Sequence, residues 1–414
     1  MALIVQKYGG TSVGSLTLIR NVAARVAALR DRGHSVVVVV SAMGDETDRL
    51  LELARELVPA PAPRELDALL ATGEQVSVAL LAMALCARGV AARSFTGAQA
   101  GIRTTPLHGK ARIESIDIRR LRNELAAHHV PVVAGFQGED AAGDITTIGR
   151  GGSDTTAVAL AVALQADECQ ILTDVDGVFT TDPRMVCEAR CLERLSFEEM
   201  LELAGQGSRV LHLRAVEFAR KYTMPLRVAS AFHECAGTLI GPEEPTVEAP
   251  VVSGIAFNRD EAQITCFGLP EEPGTAYAVL GPLAEANIEV DMIVVNAARE
   301  GLTDLSFTVH RDDYVQAREI AQSSLRCFPQ SRLAATDRVA KLSVVGVGMR
   351  SHAGVAARLF ETMAAERINV RLVSTSEIKI SLLVEETQLE RAVQALHTAY
   401  GLSDDVVKRC ESRG

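Results

Sequence analysis

Residues 35–41 read Ser-Val-Val-Val-Val-Val-Ser. Five β-branched residues in succession are stiff in a helix and leave no polar face. The run therefore predicts a strand buried on both sides, as in a parallel sheet covered by helices. "LIVQ" from Leu3, "VPVVAGFQG" from Val130 and "CQILTDVDGV" from Cys169 are further strands of this kind. Between them lie helical stretches rich in alanine and leucine: Leu16 to Arg32, closed by Gly33, then Glu65 to Arg88 and Thr155 to Gln165. Strand and helix alternate over residues 1–240, which predicts an α/β domain with helices on both faces of its sheet.

At 414 residues the chain exceeds one ordinary core and suits two or three domains. "GPEEPTVEAP" (Gly241 to Pro250) is rich in proline and glutamate, and residues 241–252 read as a linker. Beyond it the sequence repeats. "AQITCFGLPEEPGTAYAVLGPLAEANIEVDMI" starts at Ala262 and "AKLSVVGVGMRSHAGVAARLFETMAAERINVRLV" at Ala340. Gly274 matches Gly354, Ala276 matches Ala356 and Ile288 matches Ile368 at a constant offset. Each copy reads strand, glycine-started helix, strand, then a further strand and a closing helix, giving two βαββαβ modules, 253–338 and 339–414. Their strands can interleave, since "VVSGIAF" precedes the first copy yet suits the second. Such a pair suits ligand sensing, and structural duplication would produce the same pattern.

Composition excludes several classes. The net charge of −11 argues against nucleic acid, which needs a basic footprint. Aromatics make up 4% and tryptophan is absent, so neither a base-stacking surface nor a membrane aromatic belt is expected. No run reaches the roughly 18 consecutive apolar residues of a membrane helix, and no signal peptide is read at the N-terminus. Eight cysteines without a CxxC pair read as reduced thiols of a cytoplasmic protein.

Five polar words interrupt the α/β pattern. "QKYGGTSVGS" (Gln6 to Ser15) sets Lys7, Gly9 and Gly10 between a strand and a helix. Freed backbone N–H groups and a helix N-terminus there can cradle phosphate, with Lys7 as the point charge. A glycine turn with a surface lysine explains the word equally, and its spacing is not that of a Walker A loop. "SAMGDETD" follows the valine strand at its C-terminal end, where open α/β sheets bind ligands; Ser41 and Thr47 can contact a polar ligand or cap a helix. Glu74 stands inside an apolar helical stretch and wants a cationic partner such as a substrate ammonium, unless it is exposed. "TTIGRGGSDTTAVALAVAL" brings Arg150, Gly151, Gly152, Ser153 and Asp154 directly before a long apolar helix. Arg150 can fork two hydrogen bonds to a carboxylate, and a helix cap accounts for Ser153 or Asp154 but not for the Arg-Gly-Gly. "TDVDGVFTTDPR" (Thr173 to Arg184) is either a polar loop or a nucleotide contact. No cluster has zinc-ligand spacing, and no nucleophile elbow is present.

Taken in order, "KYGGTSVG", "VSAMG", "SFTGAQAG", "GRGGSDTTA", "TDVDGVFTTDPR", "LSFEEMLELA" and a tandem repeat containing "STSEI" resemble the aspartokinases of the amino-acid kinase superfamily over essentially the whole chain. The resemblance implies an αβα sandwich with a mainly parallel central sheet, followed by two ferredoxin-like ACT modules. It implies transfer of the ATP γ-phosphoryl group, assisted by Mg²⁺, to the side-chain carboxylate of L-aspartate, giving 4-phospho-L-aspartate for lysine, threonine and methionine synthesis. By the same resemblance Lys7 and Asp154 are catalytic. Ser41, Thr47, Glu74, Arg150, Gly151, Gly152 and Ser153 would hold aspartate, with Arg150 on the α-carboxylate and Glu74 on the α-ammonium. Lys7, Tyr8, Gly9, Gly10, Thr173, Asp174, Phe179, Asp182, Arg184 and Arg209 would hold ATP. Gly274, Ala276, Asp291, Val295, Asn296, Asn369 and Val370 would line sites for threonine or lysine, and the modules would join the chain into a homodimer or larger assembly.

Three residues depart from the family pattern. Arg209 stands where a lysine is expected, Val295 where the family often has glutamine before Asn296, and Ala298 where serine is common. An apolar side chain cannot replace a hydrogen bond to a buried ligand, whose loss costs about 1–3 kcal/mol, so weakened feedback inhibition is expected. Two other readings use the same words: a kinase acting on glutamate, and a catalytically idle amino-acid sensor. The sensing repeat argues against the first, and retention of Lys7, Arg150 and Asp154 together argues against the second.

Overall fold

The computed structural model describes residues 1–205, 210–243, 251–296, 300–352 and 354–403. It divides into two compact units. The first comprises residues 1–178, 191–204 and 209–245, and the second residues 179–190, 205–208 and 246–414.

The first unit opens with β1 (Leu3–Tyr8), α1 (Leu16–Asp31) and β2 (Ser35–Val40), followed by α2 (Glu46–Leu57), α3 (Pro63–Leu70) and α4 (Thr72–Cys86). Next come β3 (Ala92–Phe95), β4 (Ile102–Thr104), β5 (Ile113–Ile116), α5 (Arg119–Ala126), β6 (Val130–Ala134), β7 (Gln137–Glu139) and β8 (Ile145–Thr147). The unit ends with α6 (Gly152–Leu164), β9 (Glu168–Thr173), β10 (Arg194–Ser196), α7 (Phe197–Gly205), α8 (Leu213–Tyr222), β11 (Leu226–Ser230) and β12 (Thr238–Gly241). Eight strands form one sheet in the order β10-β12-β11-β9-β1-β2-β6-β3. All its neighbours are parallel except β11 and β12. A smaller sheet runs β5-β4-β7-β8.

The valine run is β2, and its last five residues are buried. Val36, Val38 and Val40 join Tyr8, α1 and α4 in one core, while Val37 and Val39, equally buried, point to the other face by the two-residue period of a strand. Helix α6 covers that other face, packing on β1, β2 and β9. "VPVVAGFQG" is not one strand. It breaks at Gly135–Phe136, where Phe136 takes a φ of 67°, and passes from the large sheet to the small one. The stretch from Glu65 likewise divides into α3 and α4 around Ala71. Pro63–Cys86 is long and apolar enough to cross a membrane by length and composition alone. Half of its apolar window is buried in the protein, and it carries the buried carboxylates Asp67 and Glu74, the marks of a core helix pair.

The second unit holds β13 (Gly254–Pro270), α9 (Thr275–Glu285), β14 (Val290–Val295), β15 (Leu302–His310) and α10 (Tyr314–Ser324). After these come β16 (Arg332–Val345), α11 (Gly354–Ala365), β17 (Leu372–Thr375), β18 (Lys379–Glu385) and α12 (Leu389–Ala399). One antiparallel sheet runs β14-β15-β13-β16-β18-β17. Its two central strands are long and shared. Residues 254–258 of β13 pair with 345–341 of β16, and residues 263–267 pair with 336–332, across register shifts near Glu261. Ile255 belongs to the core under α11 and α12, whereas Ile264 and Cys266 belong to the core under α9 and α10. The sequence boundary between 338 and 339 falls inside β16. Most of the proline-rich stretch, residues 244–250, lies outside the described residues.

Candidate active site

β1 lies between β2 and β9 with all three strands parallel, so the chain leaves it toward one side and returns on the other. Open α/β sheets bind ligands at the C-terminal end of such a switch point. Lys7 is the penultimate residue of β1, and because Tyr8 faces α1 and α4, the strand period turns Lys7 toward α6. There its Nζ meets Asp154 Oδ1 at 2.7 Å, with side chains only 12% and 11% exposed. Asp154 Oδ2 accepts from the His212 N–H at 3.4 Å.

The glycines of the first loop make close approaches. A Cβ on Gly10 would stand 3.0 Å from the carbonyl oxygens of both Ala42 and Gly44, and one on Gly9 would stand 3.5 Å from Lys7 Nζ. The Gly44 N–H donates to the Gly10 carbonyl at 3.1 Å, tying the loops after β1 and β2 together. The Tyr8 ring is fully buried, its hydroxyl donating to Gln6 Oε1, and burial pushes its pKa up. The ring is thus a core group, and only the main chain of Tyr8 lies at the loop. Ser41 and Thr47 are half-buried; Thr47 is the second residue of α2, whose cap position, Asp45, makes no side-chain cap bond.

Glu74, in the first turn of α4, is buried. Its Oε1 accepts from the Ala42 N–H at 3.0 Å, while Oε2 is buried without a hydrogen-bond partner. Burial pushes this carboxyl up to about 7, only partly offset by the Ala42 hydrogen bond. A group in that state wants a cation.

Helix α6 starts at Gly152, earlier than the Thr155 read from the sequence, because Gly151 at its cap adopts a φ of 70°. Neither Ser153 nor Asp154 caps the helix. A Cβ on Gly151 would stand 2.1 Å from the His212 ring, so only glycine fits. Ser153 is buried against Gly135, and Arg150 is exposed between the left-handed Gly149 and Gly151.

Three residues that the sequence reading passed over hold this loop. Asp67, buried on α3, accepts from the Thr147 N–H (3.0 Å), the Thr147 hydroxyl (2.5 Å) and the Gly109 N–H (3.0 Å), and meets His108 Nδ1 at 2.9 Å. Arg214 donates to the carbonyls of Ile148 (2.8 Å) and Ala111 (3.3 Å). His212 Nδ1 accepts from the Arg214 N–H at 3.4 Å, and burial pushes its imidazole pKa down despite nearby Asp154. All three act across long sequence separations, which leave no local spacing signal.

Thr173 ends β9 and its hydroxyl bonds exposed Asp174 at 3.0 Å. Phe179, Asp182 and Arg184 belong to the second unit, where Asp182 takes Arg184 as a forked partner at 3.1 and 3.0 Å. Arg209 lies outside the described residues, as does Ala298. In the second unit Ala276, Val295 and Asn296 line a cavity of about 400 Å³ beside Gly274, the cap of α9. Asp291 is paired with the buried ammonium of Lys341, which also stands 3.4 Å from Glu261 Oε1; burial raises the Glu261 pKa. Asn369 and Val370 lie on the connection from α11 to β17, apart from that cavity.

Residues 2–230 match the amino acid kinase family and residues 342–400 match the ACT domain. An aspartokinase of Pseudomonas aeruginosa is 58% identical over 97% of this chain and 98% of its own. Among solved structures, E. coli aspartokinase III in complex with aspartate and ADP is 26% identical with a TM-score of 0.79, covering 96% of this chain and 99% of that one. The same enzyme with lysine and aspartate is 28% identical with a TM-score of 0.73, over 96% and 99%. The chain belongs to the amino acid kinase family, among its aspartokinases.

Proposed function

We propose that this protein is an aspartate kinase, moving the γ-phosphoryl group of ATP onto the side-chain carboxylate of L-aspartate to give 4-phospho-L-aspartate. The observation that carries this reading is the buried Lys7–Asp154 pair at the end of β1, beside the glycine loop and on the edge that also carries Glu74. Phosphoryl transfer needs in-line positioning and charge stabilisation more than covalent work by the protein. Lys7 faces the transferring group and draws off its developing charge, and Asp154 holds the lysine in place. Gly9 and Gly10 let main-chain N–H groups close on the phosphates. Glu74 takes the α-ammonium through its unpartnered oxygen, Arg150 forks onto the α-carboxylate, and Ser41, Thr47, Gly151, Gly152 and Ser153 frame the remainder. The substrate's side-chain carboxylate, ionised at neutral pH, is then the nucleophile and needs no general base.

Thr173, Asp174, Phe179, Asp182, Arg184 and Arg209 are assigned to the nucleotide with Tyr8, the last through its main chain. Bound Mg²⁺ would neutralise phosphate charge. Asp154 already pairs with Lys7, so the residues fit an ion carried in on ATP rather than one held in a carboxylate cage. Residues 1–240 form the catalytic part, 241–252 the linker, and 253–338 with 339–414 the sensing modules. Threonine or lysine would occupy the cavity lined by Ala276, Val295 and Asn296. The edge strand β14, with Ile293 and Val295 half exposed, supports self-association into a homodimer or larger. Free amino acid and ATP as substrates, with the seven described cysteines all free, support a cytoplasmic place.

ADP release from the purified protein with aspartate against glutamate tests the reading. Aspartate should drive turnover and glutamate should not, and Lys7→Met should abolish turnover while circular dichroism is unchanged. Equal rates with glutamate, or none with aspartate, would refute it.

A further inference from the structure

Away from the Lys7–Asp154 pair, the first unit carries another group of chemically capable side chains. Asp176 lies on the loop after β9, and His233 and Cys235 lie on the turn between β11 and β12. Each offers one ligand atom, and the three atoms lie within 4.8 Å of one another. His233 Nε2 is 2.8 Å from Asp176 Oδ1, and Cys235 Sγ donates to the Asp176 carbonyl at 3.5 Å. A carboxylate, an imidazole and a thiol form a donor set for a borderline-soft tetrahedral cation such as Zn²⁺, and a poor one for Mg²⁺.

The surroundings already orient these donors. His233 Nδ1 faces Ser230 Oγ at 3.3 Å, and Ser230 is 1% exposed. That oxygen accepts from the Phe232 N–H at 3.3 Å and has capacity for a second donor. With an ion between Nε2 and Asp176, the imidazole proton sits on Nδ1 and is donated to Ser230, the tautomer a ligating histidine needs. The Ser230 N–H donates to Cys235 Sγ at 3.4 Å, fixing the sulfur's position beside Asp176. Arg25 anchors the turn through Nη1, which donates to the carbonyls of Ser230 (2.5 Å) and His233 (3.3 Å). The side chains of Asp176 and His233 are 48% and 57% exposed, so an ion can enter from solvent and keep a water as its fourth ligand.

We infer that Asp176, His233 and Cys235 bind one Zn²⁺ per chain. The ion takes the place of the direct His233–Asp176 contact and ties the loop that follows Thr173 to the β11–β12 turn. The binding stands on these residues alone, independently of the kinase reading.

Co²⁺ titrated into metal-free full-length protein should give a thiolate-to-cobalt charge-transfer band that saturates at one ion per chain. Zn²⁺ should displace it, and a large excess of Mg²⁺ should not. Cys235→Ser should remove the band, and His233→Ala should weaken Zn²⁺ binding by about tenfold or more in calorimetry. Circular dichroism of both variants should be unchanged; if Cys235→Ser fails to fold, Asp176→Asn with His233→Ala carries the same test. No band in the parent protein, or an undiminished band in Cys235→Ser from the exposed thiols Cys86, Cys187 or Cys327, would overturn the assignment.

Discussion

Asp154 and Glu74 stand in opposite electrostatic circumstances. Asp154 holds Lys7 at 2.7 Å, whereas Glu74 has one oxygen on a backbone N–H and the other buried without a partner. In the unliganded protein Glu74 keeps its proton up to about pH 7, while the unfolded chain releases it near 4.5. Between those values the native state binds more protons. The group's contribution to stability therefore declines as pH rises, by at most about 3 kcal/mol. Binding of an α-ammonium runs the other way, since it selects the ionised carboxylate, so KM for aspartate should fall as pH rises through about 7. Glu74→Gln should raise KM, flatten that profile, and remove the corresponding loss in the thermal stability of the unliganded protein. A KM profile unchanged by the substitution would rule out the ammonium role. Lys7 was legible in the sequence as a charge set beside a glycine turn after an apolar strand, and Glu74 as a carboxylate inside an apolar helical stretch. The sequence left open whether Glu74 was exposed, because burial depends on a loop more than thirty residues away.

Among the elements, α3 and α6 show where sequence signals stop. α6 begins at Gly152 because a left-handed glycine, not a Ser, Thr or Asp side chain, precedes it; cap chemistry read along the sequence misses such a start. Asp67 on α3 draws its partners from residues 108, 109 and 147, and no periodicity within α3 marks it. Asp67→Ala would leave the N–H groups of Gly109 and Thr147 and the Thr147 hydroxyl without partners, at about 1–3 kcal/mol each. Urea unfolding should show a loss of at least about 3 kcal/mol. Because the loop from Thr147 to Gly152 carries Arg150, any folded fraction of the variant should show KM for aspartate rising more than kcat falls. A variant with native stability would show that the buried carboxylate is dispensable.

For the molecule as a whole, the repeat and the α/β alternation were readable because they rest on period and composition. The sharing of β13 and β16 between two cores was not, because a continuous strand gives no local sign of changing partners. Residues 253–338 expressed alone would leave 254–258 of β13 without the 341–345 partners and should not fold, whereas residues 251–403 should; circular dichroism decides between these outcomes. The half-exposed Val295 lines the cavity proposed for the regulatory amino acid without a polar group to offer. Val295→Gln should lower the threonine or lysine concentration that halves activity by about tenfold, the weight of one recovered hydrogen bond. Equal inhibition of parent and variant would refute a weakening of feedback by Val295.

The shared strands also bear on inheritance. A crossover that replaced one sensing module with that of another gene would splice foreign sequence into the middle of β13 and of β16 at once. The daughter protein would have to match both cores along the same two strands. New effector specificity is therefore expected to arise by substitution within the pair, or by exchange of the pair entire, rather than by shuffling single modules.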